Sequence, residues 1–204
     1  LSKIIKSEKE VYSKYHSLFL PSNIPHITHE EISEFLSIKN NHLWGLHRSK
    51  SSIIENFDSV KKGFSALLDE NIPIVERLNH IELNKKESGL SGIGPAILTA
   101  ILHFSNPEKY GVWNSSSENA LKEYDIYPLL KRGVTFGEKY TLFNEVFSYV
   151  AKEVGVSLWV LEPLWFRKLT DGSSTIFSPE EFLILLSDLK KFIPQSHTND
   201  LTTK

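Results

Sequence analysis

The chain has 204 residues, a formal net charge of −2 at pH 7 and 40% apolar residues, which is an ordinary composition for a globular protein. No apolar run reaches the roughly 18 residues of a transmembrane helix, so we expect no membrane span. The charged N-terminus lacks the apolar centre of a secretory signal. A protein that coats nucleic acid through its overall charge would be strongly basic, so any DNA contact has to come from a local patch.

The sequence contains neither cysteine nor methionine. Without cysteine the chain has no disulfides, thiolate metal sites, iron–sulfur clusters or cysteine nucleophile. This composition is compatible with the cytoplasm, which is the expected location. Because even an initial methionine is missing, we expect the sequence to begin inside a longer gene product.

Helix signals follow one another along the chain, and no segment alternates apolar and polar residues convincingly as a strand would. Pro73 and Pro95 suit the first turns of "PIVERLNHIEL" and "PAILTAILHF", and Gly155 is predicted to end "GEKYTLFNEVFSYVAKEVG". Capping residues predict four further helix starts: Thr28, Ser52 with Glu55, Ser115 with Glu118, and Ser178. The predicted fold is all-α, with about eight to ten short helices.

Pairs of adjacent basic residues recur along the chain. They usually lie on solvated helix surface, and the alternative is a local patch for an anionic partner. The pairs are Lys61–Lys62, Lys85–Lys86, Lys131–Arg132, Arg167–Lys168 and Lys190–Lys191.

The segment "LNHIELNKKESGLSGIGPAILTAILHF" predicts two amphipathic helices joined by a short turn. Gly92 and Gly94 suit this turn, because a tight hairpin needs residues able to adopt positive φ and a phosphate can approach only where no Cβ blocks it. The helix that begins at Pro95 would direct its first free N–H groups at the turn, where they could hold an anion. Ile93 would point inward and lock the two helices together. The alternative is a glycine-rich turn without a ligand.

The stretch from Ile81 to Phe104, with "LSGIGPAILTAIL" at its centre, resembles the helix-hairpin-helix motif of DNA-binding proteins. The resemblance implies contacts to the phosphates of one DNA strand that do not depend on base sequence. These contacts would come from Gly92, Ile93, Gly94 and Ala96. It also implies a monovalent cation, as the only expected cofactor, on the backbone carbonyls of Ser88, Leu90 and Ile93.

The segment "YGVWNSSSENAL" extends the resemblance to the helix-hairpin-helix DNA glycosylases. It implies that Asn114, or Ser115 with a shift of one residue, stands at the position of their catalytic aspartate. Ala96 stands where bifunctional members carry a lysine that forms a Schiff base. Asparagine can cap the following helix, but it carries no charge. Because the carboxylate that stabilises the positive charge developing on the sugar is missing, base excision should be crippled. Glu118 is a possible substitute, although a capping box explains it more simply.

The same resemblance implies a two-lobed helical fold. The lobe with the hairpin would span residues 28–124, the second lobe would combine residues 1–27 with 125–192, and residues 193–204 would form a polar tail or linker. Double-stranded DNA, with or without an everted base, would lie in the cleft between the lobes.

Aromatic residues add further candidates. Trp44, His47 and Arg48 in "NNHLWGLHRSKSS" could stack a base or hold a phosphate. Alternatively, Trp44 anchors the core and Arg48 lies on the surface. Trp113 is expected to pack beneath the hairpin. Trp159, Trp165 and Phe166 are expected in the core, and the scattered histidines show no metal-ligand spacing.

The segments "WGLHR", "GVWNSSSENAL" and "SLWVLEPLW" are similar in pattern to the N-terminal DNA-binding module of McrBC-type modification-dependent restriction proteins. This similarity implies a target-reading domain that is fused to, or associated with, a motor or nuclease domain in a defence system. The sequence therefore predicts a DNA-binding module that reads a modified or flipped base and lacks glycosylase catalysis. Two alternatives stay open: a DNA glycosylase with non-standard catalytic residues, and a helical protein-interaction adaptor.

Overall fold

The computed structural model describes residues 11–37 and 57–166, with side chains described as far as residue 162. In these ranges the backbone is helical or irregular and contains no strand, which confirms the predicted all-α class. Residues 11–15 are helical, and a 3-10 turn spans Ile24–His26. The helices that follow are α1 (His29–Phe35), α2 (Phe57–Leu68), α3 (Ile74–Leu83), α4 (Pro95–Ser105), α5 (Ser115–Glu123), α6 (Phe136–Val154) and α7 (Leu158–Phe166).

Local sequence signals account for several helix boundaries. Thr28 Oγ1 accepts a hydrogen bond from Glu31 N at 3.2 Å, and the Glu31 carboxylate accepts one from Thr28 N at 2.8 Å, which closes a capping box at α1. Gly155, with a φ of 70°, ends α6 as predicted. Pro95 opens α4 as predicted, whereas Pro73 stands immediately before α3. The predicted helix starts at Ser52 and Ser178 lie outside the described residues.

The start of α5 differs from the predicted capping box of Ser115 and Glu118. Asn114 is the N-cap: its Oδ1 accepts a hydrogen bond from Ser117 N at 2.9 Å, and Ser117 Oγ accepts one from Asn114 N at 2.9 Å. Asparagine caps a helix as well as serine does, so the box lies one residue earlier than expected. This shift leaves the Glu118 side chain available for other partners.

Most of the buried apolar side chains of the described residues form one hydrophobic core. Tyr15 packs on Phe104 with ring centroids 5.4 Å apart, and Phe19 packs on Phe35 at 4.6 Å. Residues from both predicted lobes therefore share core contacts. The division into lobes of residues 28–124 and of 1–27 with 125–192 stays a prediction.

Two glycines bring helices close together. A Cβ at Gly137 in α6 would lie 2.7 Å from Val75 Cα, so α3 and α6 pack with their backbones in contact. A Cβ at Gly63 in α2 would lie 2.6 Å from Ser88 O, so α2 supports the turn between α3 and α4. Among the described helices, none is both long enough and apolar enough to cross a membrane.

Candidate nucleic-acid interface

Both helices of the predicted hairpin are present. Helices α3 and α4 are joined by residues 84–94, and the turn is attached to the core by Leu90 and Ile93, which are buried. Burial of Ile93 confirms that it points inward. That it locks the two helices together stays a prediction. The turn therefore has a fixed position relative to α4, which a binding surface made of backbone groups requires.

The two glycines of the turn differ in conformation. Gly92 has a φ of 83°, in the left-handed region that favours glycine, as predicted. Gly94 has a φ of −91° and a ψ of 179°, which any residue adopts, so it does not use the positive φ that glycine permits. A Cβ at Gly94 would meet no protein atom within 4 Å.

Gly94 is consequently exceptional among the glycines that the structure describes. Each of the others has either a positive φ or a neighbour that leaves no room for a Cβ. The positive-φ group is Gly89, Gly92, Gly133 and Gly155, and glycines in close contact are Gly63, Gly111 and Gly137. Nothing inside the described protein requires glycine at position 94, so the open space above it is available to an external group.

Backbone hydrogen bonds in the turn leave several donors unused. Ile93 N donates to Leu90 O at 3.0 Å, and Ile97 N donates to Gly94 O at 3.2 Å. The N–H groups of Gly92, Gly94 and Ala96 have no acceptor among the described residues. These residues are exposed or half-buried, so an anion could reach them. A helix N-terminus favours an anion by about 0.3–1 kcal/mol at an exposed site.

Two of the three carbonyls that the resemblance implies as cation ligands have neighbours inside the fold. Leu90 O accepts the turn hydrogen bond from Ile93 N, and Ser88 O lies against Gly63. Among the described residues, no group of three or more histidine or carboxylate side chains is placed to hold a metal ion. The monovalent cation on the carbonyls stays a prediction.

The side chains around the turn are of mixed charge. Lys85 pairs with Glu82 at 2.7 Å, whereas Lys86 is exposed and forms no ion pair with a described residue. Glu87 is exposed beside it. This surface is neither predominantly acidic nor covered by the described parts of the chain.

Asn114 connects the hairpin to α7. The backbone just before it lies against α4, because Trp113 N donates to Thr99 Oγ1 at 2.8 Å. Asn114 is buried, and its Nδ2 donates to Glu162 Oε1 of α7 at 2.8 Å. The residue at the implied aspartate position therefore both caps α5 and binds a carboxyl group.

Glu162 is a site residue that sequence reasoning missed. It is the buried carboxyl side chain among the described residues, with an exposed fraction of 6%, and it forms no ion pair with them. Burial raises the pKa of Glu162 to about 7, although the hydrogen bond from Asn114 acts in the opposite direction. The available sequence signal was a single acidic residue in the apolar run "SLWVLEPLW".

Glu118 is occupied by other partners. Its carboxylate accepts hydrogen bonds from Trp113 Nε1 at 2.9 Å and Tyr127 OH at 3.1 Å, and lies 3.2 Å from Lys122 Nζ and 3.6 Å from Lys139 Nζ. Burial raises the pKa of Glu118, but these donors and cations outweigh burial and hold it below its usual value. Such a carboxylate is a poor proton donor at neutral pH.

Two of the four tryptophans, Trp113 and Trp159, are buried in the core. Trp113 is buried and packs edge-on against Phe143, with ring centroids 5.0 Å apart. Trp159 is buried and stacks on His103 at 4.9 Å, which confirms its core position. Trp44, His47 and Arg48, and the side chains of Trp165 and Phe166, lie outside the described residues.

Comparisons of the chain with family models, with curated proteins and with solved structures give no match.

Proposed function

We propose that the chain is a DNA-binding module that holds the phosphate backbone through the hairpin of α3 and α4. The observation that supports this most is Gly94, where neither φ nor a protein neighbour requires glycine. A phosphate that approaches the backbone closely does require it, because a Cβ would stand in its path.

The unused amides of Gly92, Gly94 and Ala96 supply the donors for such a phosphate. Hydrogen bonds to a charged acceptor contribute about 1.5–3 kcal/mol each, more than bonds to a neutral one. Backbone donors do not distinguish bases, so this contact would position DNA without reading its sequence. The net charge of −2 makes binding depend on this local contact and therefore on salt.

We further propose that the module reads a modified or flipped base for a fused or associated restriction or defence enzyme. The support is the buried Asn114–Glu162 pair, which adjoins the hairpin's second helix through Trp113 and Thr99. A carboxyl and a carboxamide together offer donors and acceptors that can distinguish base edges.

Salt-dependent binding to duplex DNA tests this function. Fluorescence anisotropy with plain, 5-methylcytosine and 5-hydroxymethylcytosine duplexes should show binding at low salt that weakens as salt rises. A preference for one modified duplex would support base reading. Absence of binding to all three duplexes at low salt would exclude the DNA-binding module.

One observation favours base excision as a second candidate. The carboxyl group missing at position 114 is present one hydrogen bond away, on Glu162. A carboxylate there could stabilise positive charge on a sugar, while Asn114 positions it. Incubation with duplexes carrying damaged or modified bases, followed by detection of abasic sites, tests this activity. Base release that is lost in Glu162→Gln would establish it, and no release from any duplex would leave only binding.

A further inference from the structure

A groove of about 470 Å³ lies between the start of α3, the loop before α6 and the first turns of α6. Its volume is in the range of ligand-binding clefts. The apolar residues that line it are Val75, Leu129, Val134 and Leu142. None of these residues belongs to the hairpin turn or to the Asn114–Glu162 pair, so the groove is a separate surface.

Leu129 makes this surface unusual. Its side chain is 62% exposed, although it lines the groove beside other apolar residues. A single exposed leucine is common on a protein surface. An exposed leucine in an apolar groove instead adds apolar surface that a bound apolar side chain would remove from water.

Positive charges outnumber negative ones in the lining of the groove. Lys131 and Arg132 line it, are exposed, and form no ion pair with the described residues. Glu138 is the acid in the lining, and its carboxylate accepts hydrogen bonds from Thr135 N and Thr135 Oγ1, each at 2.7 Å. These bonds and the positive charge of Lys131 hold the pKa of Glu138 below its usual value, so it keeps its negative charge at neutral pH. The groove therefore presents two cations and one carboxylate, a net positive charge, next to apolar side chains.

We propose that this groove docks an acidic, apolar peptide segment of a partner protein. An apolar side chain of the segment covers Leu129 and Leu142, and neighbouring aspartate or glutamate side chains pair with Lys131 and Arg132. DNA phosphates would use the two cations but leave Leu129 and the apolar lining uncovered, so a peptide fits the chemistry better. This docking does not depend on DNA binding at the hairpin.

The test is an NMR titration of the ¹⁵N-labelled chain with a synthetic peptide of sequence EDLFEDLL. Saturable shifts should concentrate on the backbone amides of Leu129, Lys131, Arg132 and Leu142. The charge-matched peptide EDSSEDSS should bind at least about tenfold more weakly, because it cannot fill the apolar part. Equal binding of the two peptides, or no saturable shift at the groove with EDLFEDLL, would overturn docking.

Variants separate this surface from the hairpin. Leu129→Ser and the double variant Lys131→Glu/Arg132→Glu should each weaken EDLFEDLL binding by about tenfold or more. Lys152→Glu, an exposed lysine at the other end of α6, should not. Gly94→Glu should also leave peptide binding unchanged. If a DNA duplex shifts these groove amides while the peptide does not, the groove is a nucleic-acid surface and the peptide assignment is wrong.

Discussion

Asn114 Nδ2 donates a hydrogen bond of 2.8 Å to Glu162 Oε1, and both residues are buried. The contact joins the N-terminus of α5 to α7 and places the buried carboxyl group beside the residue that caps α5. Glu162 has no cationic partner among the described residues, so its charged form is poorly compensated. Its protonation should therefore be visible in the stability of the fold.

Stability should fall as pH rises through the titration of Glu162. Its folded-state pKa of about 7 lies above the usual 4.5, so the folded protein holds this proton more tightly than the unfolded chain does. The contribution is complete below about pH 4.5 and is lost by about pH 7, a change of roughly 3 kcal/mol. Glu162→Gln should remove this dependence and be the more stable protein at about pH 8. Urea denaturation across this range measures both proteins, and a less stable Glu162→Gln at high pH would show that the charge is compensated.

Asn114→Asp should create a repulsive pair. Aspartate caps a helix well, so α5 keeps its N-cap, but two carboxyl groups would then share one site. We expect a loss of stability that grows above about pH 7, where both groups tend to ionise. The double variant Asn114→Asp/Glu162→Gln restores one carboxyl and one amide and should recover most of the loss. Equal stability of the single and double variants at high pH would mean that the two side chains do not interact as described.

His103 should stay neutral in mildly acidic solution. Complete burial lowers the pKa of His103 to about 4, although its hydrogen bond to Tyr110 O at 2.6 Å acts to raise it. Because its folded pKa is depressed below the usual 6.5, this neutral histidine stabilises the fold above about pH 6.5, and the contribution is lost as pH falls towards 4. An NMR titration of the imidazole carbons should find an uncharged ring at about pH 5.5. Protonation near pH 6.5 would contradict the burial of this side chain.

Two glycine-to-alanine substitutions should differ in cost. Gly137→Ala forces a methyl group against Val75 Cα and should destabilise the fold by about 1–3 kcal/mol. Gly94→Ala introduces a methyl group into open space at an ordinary φ, so stability should change by less than about 1 kcal/mol. Thermal unfolding of the two variants checks the comparison. A large loss for Gly94→Ala would reveal an internal requirement at this position.

Local chemistry is what the sequence predicted well. Some roles depend only on neighbours within a few residues, so the sequence alone predicted them. They are the cap at Thr28, the first-turn residue Pro95 and the helix end at Gly155. Helical spacing likewise predicted that Trp159 is buried, and the position of Ile93 between two glycines predicted that it points inward.

Choices between neighbouring candidates were less predictable. Asn114 and Ser115 are both good caps, and only the folded position of the chain decided for Asn114. A pair of glycines similarly does not reveal which one takes a positive φ, and here it is Gly92. Glu162 reaches Asn114 across 48 residues of sequence, a tertiary contact that no local pattern encodes.

Binding of a duplex by Gly94 variants tests the hairpin contact most directly. The unmodified chain should be compared with Gly94→Ala, Gly94→Glu and the control Ser148→Glu, which adds the same charge at an exposed position of α6. We expect Gly94→Glu to bind at least about tenfold more weakly, with a shallower salt dependence. Gly94→Ala should be intermediate, and Ser148→Glu should bind like the unmodified chain. Equal affinities and salt slopes for all four folded proteins would show that this hairpin does not hold the DNA backbone.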